Sequence, residues 1–454
     1  MTHPALITSV PPAAVRSPQS SGVDYWGRWF VVLIAACWGA SFLIGFKTAL
    51  AMLTIWGFAT AIIGVFRPVV GLLGIGMLCT LDPLIQSFLF TGDLLRWHTL
   101  DYWLSLVAVG FGRLLLGLND ARSRLAQLFA LLLTLEVLVS PDWYGGLDDV
   151  ASIVALFGLV VYCVRAGADA TVWRWLGLIC GTTGVVAGMA FLAHEASIPY
   201  LNPNAWAFLP LTGLLAICLT FPVARRWPHG QVLVAMLAAA NYTLVFLSGS
   251  RGALLTASGC GLILLILTQG MRRRWLVALT APLVAVAIAT QFTDLQTRAV
   301  KRIDLLLDRE RSLTVRTSGR FDLVVSGWNI FLEHPLGVGT GGFAQTRLDL
   351  APAGSSRFAP EQKLQAHAGW MKILVENGVP GIALMGAYIL SFAATGWRSR
   401  NRDLFMLGLL ATLGLGLKLI SSEYAGRGLW FLAAGAMVLL RPGSVLTRNT
   451  VRPA

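Results

Sequence analysis

The chain has 454 residues, of which 56% are hydrophobic and only 13% are charged. Soluble domains carry about 25% charged residues, so this composition excludes an ordinary soluble protein. The net charge of +13 would suit a nucleic-acid-binding protein. The basic residues are spread over many short loops instead of one face, however, and this distribution argues against nucleic-acid binding.

The N-terminal residues 1–28 are expected to form a disordered cytoplasmic tail. Residues 1–25 are polar, contain Pro and Ser, and lack the apolar core of a signal peptide. Beyond them, apolar runs recur at the length of about 17–25 residues that crosses a bilayer as a helix. The sequence therefore predicts an all-α polytopic membrane protein with about 12–14 transmembrane helices, several of them short.

The predicted spans fall into a bundle over residues 29–290 and a C-terminal group over 367–440. Asp82-Pro83 lies inside the third span and marks a candidate helix break. In chain order the spans are 29–46, 48–66, 69–90, 101–118, 125–140, 148–164, 173–193, 205–223, 229–249, 251–269, 274–290, 370–395, 403–421 and 428–440.

Orientation follows from the short loops, because loops rich in Lys and Arg stay in the cytoplasm. Alternate loops are basic, and all of them lie on one side if both termini are cytoplasmic; they contain Arg67, Arg122, Arg165, Arg225, Arg272 and Arg398. The tail 441–454 is then cytoplasmic, and the polar segment 291–366 becomes one long periplasmic loop. The loops near Trp143 and Arg251 are expected on that same face.

Arg251 stands in Ser250-Arg251-Gly252 between two apolar runs, with almost no loop between them. An arginine near hydrocarbon is costly and is usually paired with an anion, so Arg251 is a candidate ligand of an anionic substrate. Gly249 and Gly252 would allow a tight helix hairpin. The alternative is an arginine that snorkels to the interface.

Within the long loop, apolar residues recur at helical spacing from Phe321 to Glu333. This spacing predicts an amphipathic helix along the membrane surface, with Ser318 as its N-cap. Arg320 at the helix start is a candidate phosphate ligand, against the alternative of a solvated charge. The glycine-rich residues 337–342 are either a nest for an oxyanion or an ordinary turn.

His367 stands where the long loop re-enters the bilayer. Histidine titrates near neutral pH, so His367 is the candidate general base, and His334 is the competing one. No HxxxH or HExxH spacing indicates a metal site. The candidate contacts for a sugar or acceptor are Asn204, Trp328, Trp370 and Glu376; of these, Asn204 follows Asn202-Pro203 in a predicted turn or cap.

In this order the motifs resemble the O-antigen ligase and polysaccharide polymerase superfamily. The matching residues are Asn202 to Asn204, Ser250 to Leu255, Arg320, Pro335 to Gly339, and His367 followed by Glu376, Gly378 and Gly381. The sequence departs from the pattern at one position. The family's histidine is commonly followed by Asn, whereas Ala368 follows His367 here.

The resemblance implies a GT-C-like glycosyltransferase in the bacterial inner membrane, with its active face in the periplasm. Its donor would be a glycan on undecaprenyl diphosphate, and its acceptor lipid A-core in a ligase or a second lipid-linked repeat unit in a polymerase. Arg251 and Arg320 would bind the diphosphate, and His367 would take the acceptor's proton in an inverting reaction. The resemblance implies no metal and no other cofactor.

Two other classes of protein remain open at this point. A transporter or flippase for the lipid-linked glycan predicts charged residues deep in several helices. The nearest candidates are Arg113 and Lys418, which are both expected to snorkel toward an interface. A non-catalytic component of a polysaccharide assembly complex would tolerate the loss of Arg251 and His367.

Overall fold

The structure is a computed structural model that describes residues 18–64, 66–88, 121–143, 145–147, 149–150, 160, 170–194, 203–224, 230–267, 320–350, 368–399, 401–421 and 427–440. In this part of the chain the regular elements are helices, which confirms the all-α prediction. In chain order they are α1 Pro18–Ile44, α2 Phe46–Ile63, α3 Pro68–Phe88, α4 Ala121–Glu136 with a 3-10 turn Val137–Val139, α5 Ala170–His194, α6 Pro203–Ala224, α7 Gly230–Leu247, α8 Arg251–Leu267, α9 Arg320–Glu333, α10 Phe343–Leu350, α11 Gly369–Arg398, α12 Arg402–Ser421 and α13 Arg427–Leu439.

Among these helices, four are long and apolar enough to cross a membrane, namely the ones containing Gly22–Ile44, Pro68–Ile85, Thr171–Leu192 and Gly369–Arg398. The chain is therefore a multi-pass membrane protein. The predicted spans 229–249 and 403–421 agree closely with α7 and α12. The spans 101–118 and 274–290 lie outside the described residues, so the total number of helices stays a prediction.

The prediction that Asp82-Pro83 breaks a helix is wrong. Helix α3 continues through Pro83 to Phe88. Proline is tolerated inside a membrane helix because neighbouring groups satisfy the freed backbone carbonyl. Here α3 packs against α2, α5 and α6, which leaves most of its surface buried.

Helix α6 occupies the interior of the bundle and is apolar on all sides, as expected for a buried helix. It packs most extensively against α5 and also contacts α3, α7, α8 and α12. Small residues bring α5 and α6 together: a Cβ atom at Gly177 would lie 1.9 Å from the hydroxyl of Thr220. Close approach through glycine is a usual way to pack helices in membranes, where the hydrophobic effect gives little force between them.

Lys418 in α12 does not snorkel, contrary to the prediction. It is 4% exposed, and its ammonium donates to the Thr212 hydroxyl at 3.4 Å and lies 5.7 Å from the centre of the Phe208 ring. Asp82 of α3 contributes a favourable charge interaction. These interior partners offset part of the free-energy cost of removing water from the ammonium.

Helix α11 is broken at Gly378, where the backbone adopts φ +58° and ψ −154°. The intact 30-residue helix would be about 45 Å long, longer than the hydrocarbon layer of about 30 Å. The second half, residues 379–398, is about 30 Å long and matches that layer. The first half, residues 369–377, is called the half-helix below.

The half-helix packs with the polar loop's own helices. It contributes Met371, Leu374 and Val375 to a small core that also contains Ile330 of α9 and Phe343 of α10. This core is separate from the large core of the transmembrane bundle. The starts of α9 and α11 therefore border one compact unit.

Candidate functional site

The predicted helix hairpin at Arg251 is present. Helix α7 ends at Leu247 and α8 begins at Arg251. The hydroxyl of Ser248 accepts a hydrogen bond from the Ser250 N–H at 3.1 Å and donates one to Val245 O at 2.6 Å. Gly249 has φ +65°, a conformation that glycine adopts without strain. Arg251 is thus fixed at the first position of a helix; its guanidinium lies outside the described part.

The glycine-rich residues form a turn, residues 335–342, that docks onto the break in α11. The N–H groups of Val338 and Gly339 donate to Val375 O at 3.0 Å and Glu376 O at 2.9 Å, and Val379 N–H donates to Pro335 O at 3.0 Å. These bonds satisfy backbone groups that the break at Gly378 leaves without helical partners. We refer to residues 335–342 as the glycine turn.

The predicted oxyanion nest in the glycine turn is occupied by the protein itself. The carboxylate of Glu376 accepts a hydrogen bond from the Phe343 N–H at 3.4 Å and another from the N–H of Gly341. Glu376 is fully buried, and its second oxygen has no hydrogen-bond partner among the described residues. A carboxylate so placed binds the glycine turn to the half-helix, and it is not on the surface where Glu376 was predicted to meet a sugar.

Lys372 lies one helical turn before Glu376 and is 3% exposed. Its ammonium donates to both oxygens of Asp149, at 2.9 and 3.1 Å, and lies 4.0 Å from the Glu376 carboxylate. Asp149 belongs to the segment that follows α4, which the charge rule placed on the same face as the long loop. One buried cation therefore joins two segments 223 positions apart.

Asn377 makes a second connection to α4. Its side-chain amide donates to the Glu136 carboxylate and to the Thr340 hydroxyl, the latter at 3.1 Å. The Thr340 hydroxyl in turn donates to Leu133 O at 3.0 Å. The end of α4, the glycine turn and the half-helix are thus held together by buried polar contacts.

Arg347 of α10 is the other buried cation of this unit, 3% exposed. Burial lowers the pKa of its guanidinium from the ordinary value. An arginine keeps its charge at neutral pH even so. Lys372 and Arg347 are thus the two buried cations that the described residues contribute to this unit.

The amphipathic helix is confirmed as α9, which begins at Arg320. One face packs inward through Leu323 and Ile330. The opposite face exposes an apolar stripe, defined by Phe321, Val325, Trp328 and Leu332, which recur at helical spacing. Trp328 is 48% exposed and can therefore contact a substrate or lipid.

The structure describes the remaining predicted site residues only in part. Trp370 is half-buried beside the small core. Asn204 is in the first turn of α6, and Arg320 is the first residue of α9, but the side chains of both are outside the description. His367 and Ser318 lie outside the described residues, and Ala368 is the N-cap of α11.

Sequence reasoning missed the residues that assemble the unit, namely Glu136, Asp149, Thr340, Lys372 and Asn377. A partial signal was available for Lys372, because Lys and Glu four positions apart share a helix face. A signal was also present for the break, because Gly378 followed by Pro380 is a typical end and start of helices. Across the described ranges, no group of three or more His, Cys, Asp or Glu is placed to hold a metal ion.

The comparisons with known proteins agree with the motif order. No curated protein matches the chain. Residues 232–386 match the family model described as O-antigen ligase. The match runs from α7 through the Arg251 hairpin, α9, the glycine turn and the half-helix to the second half of α11. Residues 232–386 are thus similar to the O-antigen ligase family, in the segment that carries the motifs of the sequence resemblance.

Proposed function

We propose that the protein transfers a glycan from undecaprenyl diphosphate to a saccharide acceptor at the periplasmic face of the bacterial inner membrane. One observation carries this proposal: the O-antigen ligase match at 232–386 encloses Arg251, Arg320 and His367. The fold adds support. The two loop regions that the charge rule assigns to one face, around Trp143 and around the glycine turn, meet at Gly146, where a Cβ atom would lie 2.4 Å from Thr340 O.

The donor's diphosphate would be bound by Arg251 and Arg320. Each arginine begins a helix, α8 and α9 respectively, where the backbone N–H groups and the helix dipole also favour an anion. Guanidinium groups bind phosphate through paired charge-assisted hydrogen bonds. Two such groups can stabilise the leaving diphosphate without a metal ion.

The chemical step would be a single displacement. The acceptor hydroxyl passes its proton to the imidazole of His367, and its oxygen attacks the anomeric carbon of the donor sugar. The bond from that carbon to the diphosphate oxygen breaks, and its electron pair leaves with undecaprenyl diphosphate. The attack from the opposite side inverts the anomeric carbon. His367 returns its proton to solvent.

The aromatic residues Trp328 and Trp370 and the amide of Asn204 are proposed contacts for the sugar or acceptor. Trp328 has the exposure that such a contact requires. For Glu376 we propose a different role, because its carboxylate is buried and accepts hydrogen bonds from the glycine turn. It would hold the turn in place and leave substrate contact to exposed residues.

The test is to replace Arg251, Arg320 and His367 singly with Ala. Membranes of a deletion strain, which hold the accumulated lipid-linked glycan, would report transfer by each variant. We expect each variant to lose at least about 100-fold in rate, in the range typical for lost general-base or charge-stabilising groups. Arg398→Ala, at the exposed far end of α11, is the matched arginine control and should remain active.

His334→Ala separates the two histidines. His334 is exposed just after α9, and we expect its variant to remain active. Wild-type rates in the His367 variant would end the proposal of a general base at that position. Loss of activity in the His334 variant alone would assign that role to His334 instead.

Ligase and polymerase differ in the acceptor, and the surface glycan of the deletion strain distinguishes them. Loss of long chains with single repeat units retained indicates a polymerase. Loss of all glycan attached to lipid A-core indicates a ligase. Chelation of divalent cations by EDTA should leave the rate unchanged in either case.

The observation that favours a transporter is the buried Lys418, with Asp82 near it. Charged residues inside a membrane bundle often mark an ion pathway. The proposal of an enzyme predicts that purified protein transfers glycan in detergent, where no gradient exists. A transporter would instead require sealed vesicles and would be inhibited by a protonophore.

A further inference from the structure

Contacts on all sides of the half-helix fix its orientation about its own axis. Residues 371–378 are all buried. The aliphatic residues Met371 and Val375 face the small core, whereas Lys372 faces Asp149 and Glu376. The half-helix can therefore neither rotate nor slide without breaking a buried contact.

The burial of Lys372 in the half-helix costs free energy. Taking an ammonium and its carboxylates out of water costs free energy, and replacing a buried ion pair by apolar residues is often neutral or stabilising. Stability alone is thus a weak reason for a lysine at this position. A buried ion pair does, however, impose a geometry that apolar contacts do not.

The geometry concerns the residue next to the half-helix. Ala368 O accepts hydrogen bonds from the N–H groups of Met371 and Lys372, at 3.1 and 3.0 Å. Lys372 thus closes the first helical turn with its backbone and fixes that turn to Asp149 with its side chain. Ala368 is the N-cap, and His367 is covalently attached to it.

We propose that Lys372 is a positioning residue for His367. By joining the half-helix to Asp149 and Glu376, it would fix the position of the first turn of α11. The position of His367, two residues before that turn, relative to the donor would then be fixed as well. This inference rests on the proposed function, in which His367 acts as the base. Lys372 itself is 3% exposed, so the role proposed for it acts through the half-helix.

The experiment removes the ion pair in two ways that limit misfolding. Asp149→Leu removes the partly exposed partner and leaves Lys372 beside Glu376. The double variant K372M/E376Q removes one positive and one negative charge together, so the formal net charge is unchanged, and the carboxylate left without its ammonium is that of Asp149, whose side chain is 18% exposed. A displacement of about 1 Å can lower a rate about 100-fold, so we expect kcat to fall roughly 10- to 100-fold in both variants.

The rates would be measured with purified protein, a fixed amount of saccharide acceptor free of donor, and increasing amounts of lipid-linked glycan extracted from deletion-strain membranes. A positioning role predicts a lower kcat with KM within about two-fold of wild type, because an interaction made only in the transition state is lost. Asp149→Glu restores a carboxylate to the ammonium and should recover most of the lost kcat. A purely structural role would lower the yield of folded protein and leave kcat per folded molecule unchanged.

Asp24→Asn is the matched control. It weakens another ion pair of the protein, in which Arg174 of α5 donates to Asp24 of α1, far from the matched segment in sequence. Its kcat should equal that of wild type. Folded Asp149→Leu or K372M/E376Q with wild-type kcat would overturn the inference, and so would a change in KM alone or an inactive Asp149→Glu.

Different experimental results would overturn the positioning role of Lys372 and the proposed function. If His367→Ala is fully active, the proposed function is wrong whatever Lys372 does. If His367→Ala is inactive while folded K372M/E376Q and Asp149→Leu keep the wild-type kcat, only the positioning role is wrong.

Discussion

The backbone N–H of Gly339 donates a hydrogen bond to the carbonyl oxygen of Glu376 at 2.9 Å. This bond joins the glycine turn to the place where α11 would otherwise continue as a regular helix. Glu376 binds the same turn with its side chain. The break in α11 and the turn therefore stabilise each other.

Gly378→Ala should disrupt this docking. A Cβ atom there would lie 2.4 Å from Pro335 O, and the backbone has φ +58°, which only glycine adopts readily. We expect the variant to lose about 1–3 kcal/mol or more from strain and to be inactive in glycan transfer. Thermal unfolding in detergent would show the loss as a lower midpoint.

Gly386→Ala is its control in the same helix. A Cβ atom at Gly386 meets nothing within 4 Å, and alanine favours a helix interior by about 1 kcal/mol over glycine. This variant should be at least as stable as wild type and fully active. Equal stability of the two variants would contradict the docking argument.

The transmembrane helices could be predicted from sequence because hydropathy is a local property. The spans 229–249 and 403–421 needed no knowledge of neighbours to match α7 and α12. The break at Gly378 was missed because the predicted span 370–395 was drawn across it, although Gly378 and Pro380 carry a local signal for a helix end and start. Pro83 shows the converse, since a local helix breaker lies within a continuous helix.

The candidate site was predictable only in part, for the same physical reason. Arg320 and the face of α9 follow from periodicity along one segment. The contact of Lys372 with Asp149 spans 223 positions, and that of Asn377 with Glu136 spans 241. Pairs so far apart leave no periodic signal, and only the folded chain brings them together.

Ala368→Asn tests the position at which this sequence departs from its family. Ala368 has N-cap geometry, with φ −135° and ψ 111°, and makes no side-chain cap. Asparagine accepts a hydrogen bond from the N–H groups of the first turn and is worth about 0.5–2 kcal/mol over alanine at an N-cap. We expect a higher unfolding midpoint with activity retained.

Ala368→Ser should give a similar gain, and Ala368→Val should give none, because valine cannot accept a hydrogen bond. A rise in midpoint with serine and asparagine alone would identify this position as a capping position. An unchanged midpoint in both would show that the first turn of α11 needs no side-chain cap.

Thr340→Val should destabilise the unit at its centre. The Thr340 hydroxyl is fully buried, donates to Leu133 O and accepts from the Asn377 amide. Removing a partner from buried polar groups costs about 1–3 kcal/mol, so the unfolding midpoint should fall. Thr134→Val is the control on α4: Thr134 is exposed and bonds only within its own helix among the described contacts, so its change should stay within about 0.5 kcal/mol.

Trp328 and Ile330 lie two positions apart on opposite faces of α9 and should respond differently to truncation. Ile330 is 1% exposed in the small core, and Ile330→Ala should cost about 2–5 kcal/mol of stability. Trp328→Ala should leave stability nearly unchanged. If Trp328 contacts the donor or acceptor, its loss should raise KM several-fold, since stacking on an exposed ring is worth about 1 kcal/mol.

Asn329→Ala, an exposed neighbour on the same helix, is the control for surface changes and should alter neither stability nor KM. Unfolding midpoints and KM for the lipid-linked glycan would be measured on all three variants. A fall in stability with Trp328→Ala comparable to that with Ile330→Ala would show that the tryptophan packs inside the protein. An unchanged KM would remove it from the substrate contacts and leave the apolar stripe of α9 to interact with lipid.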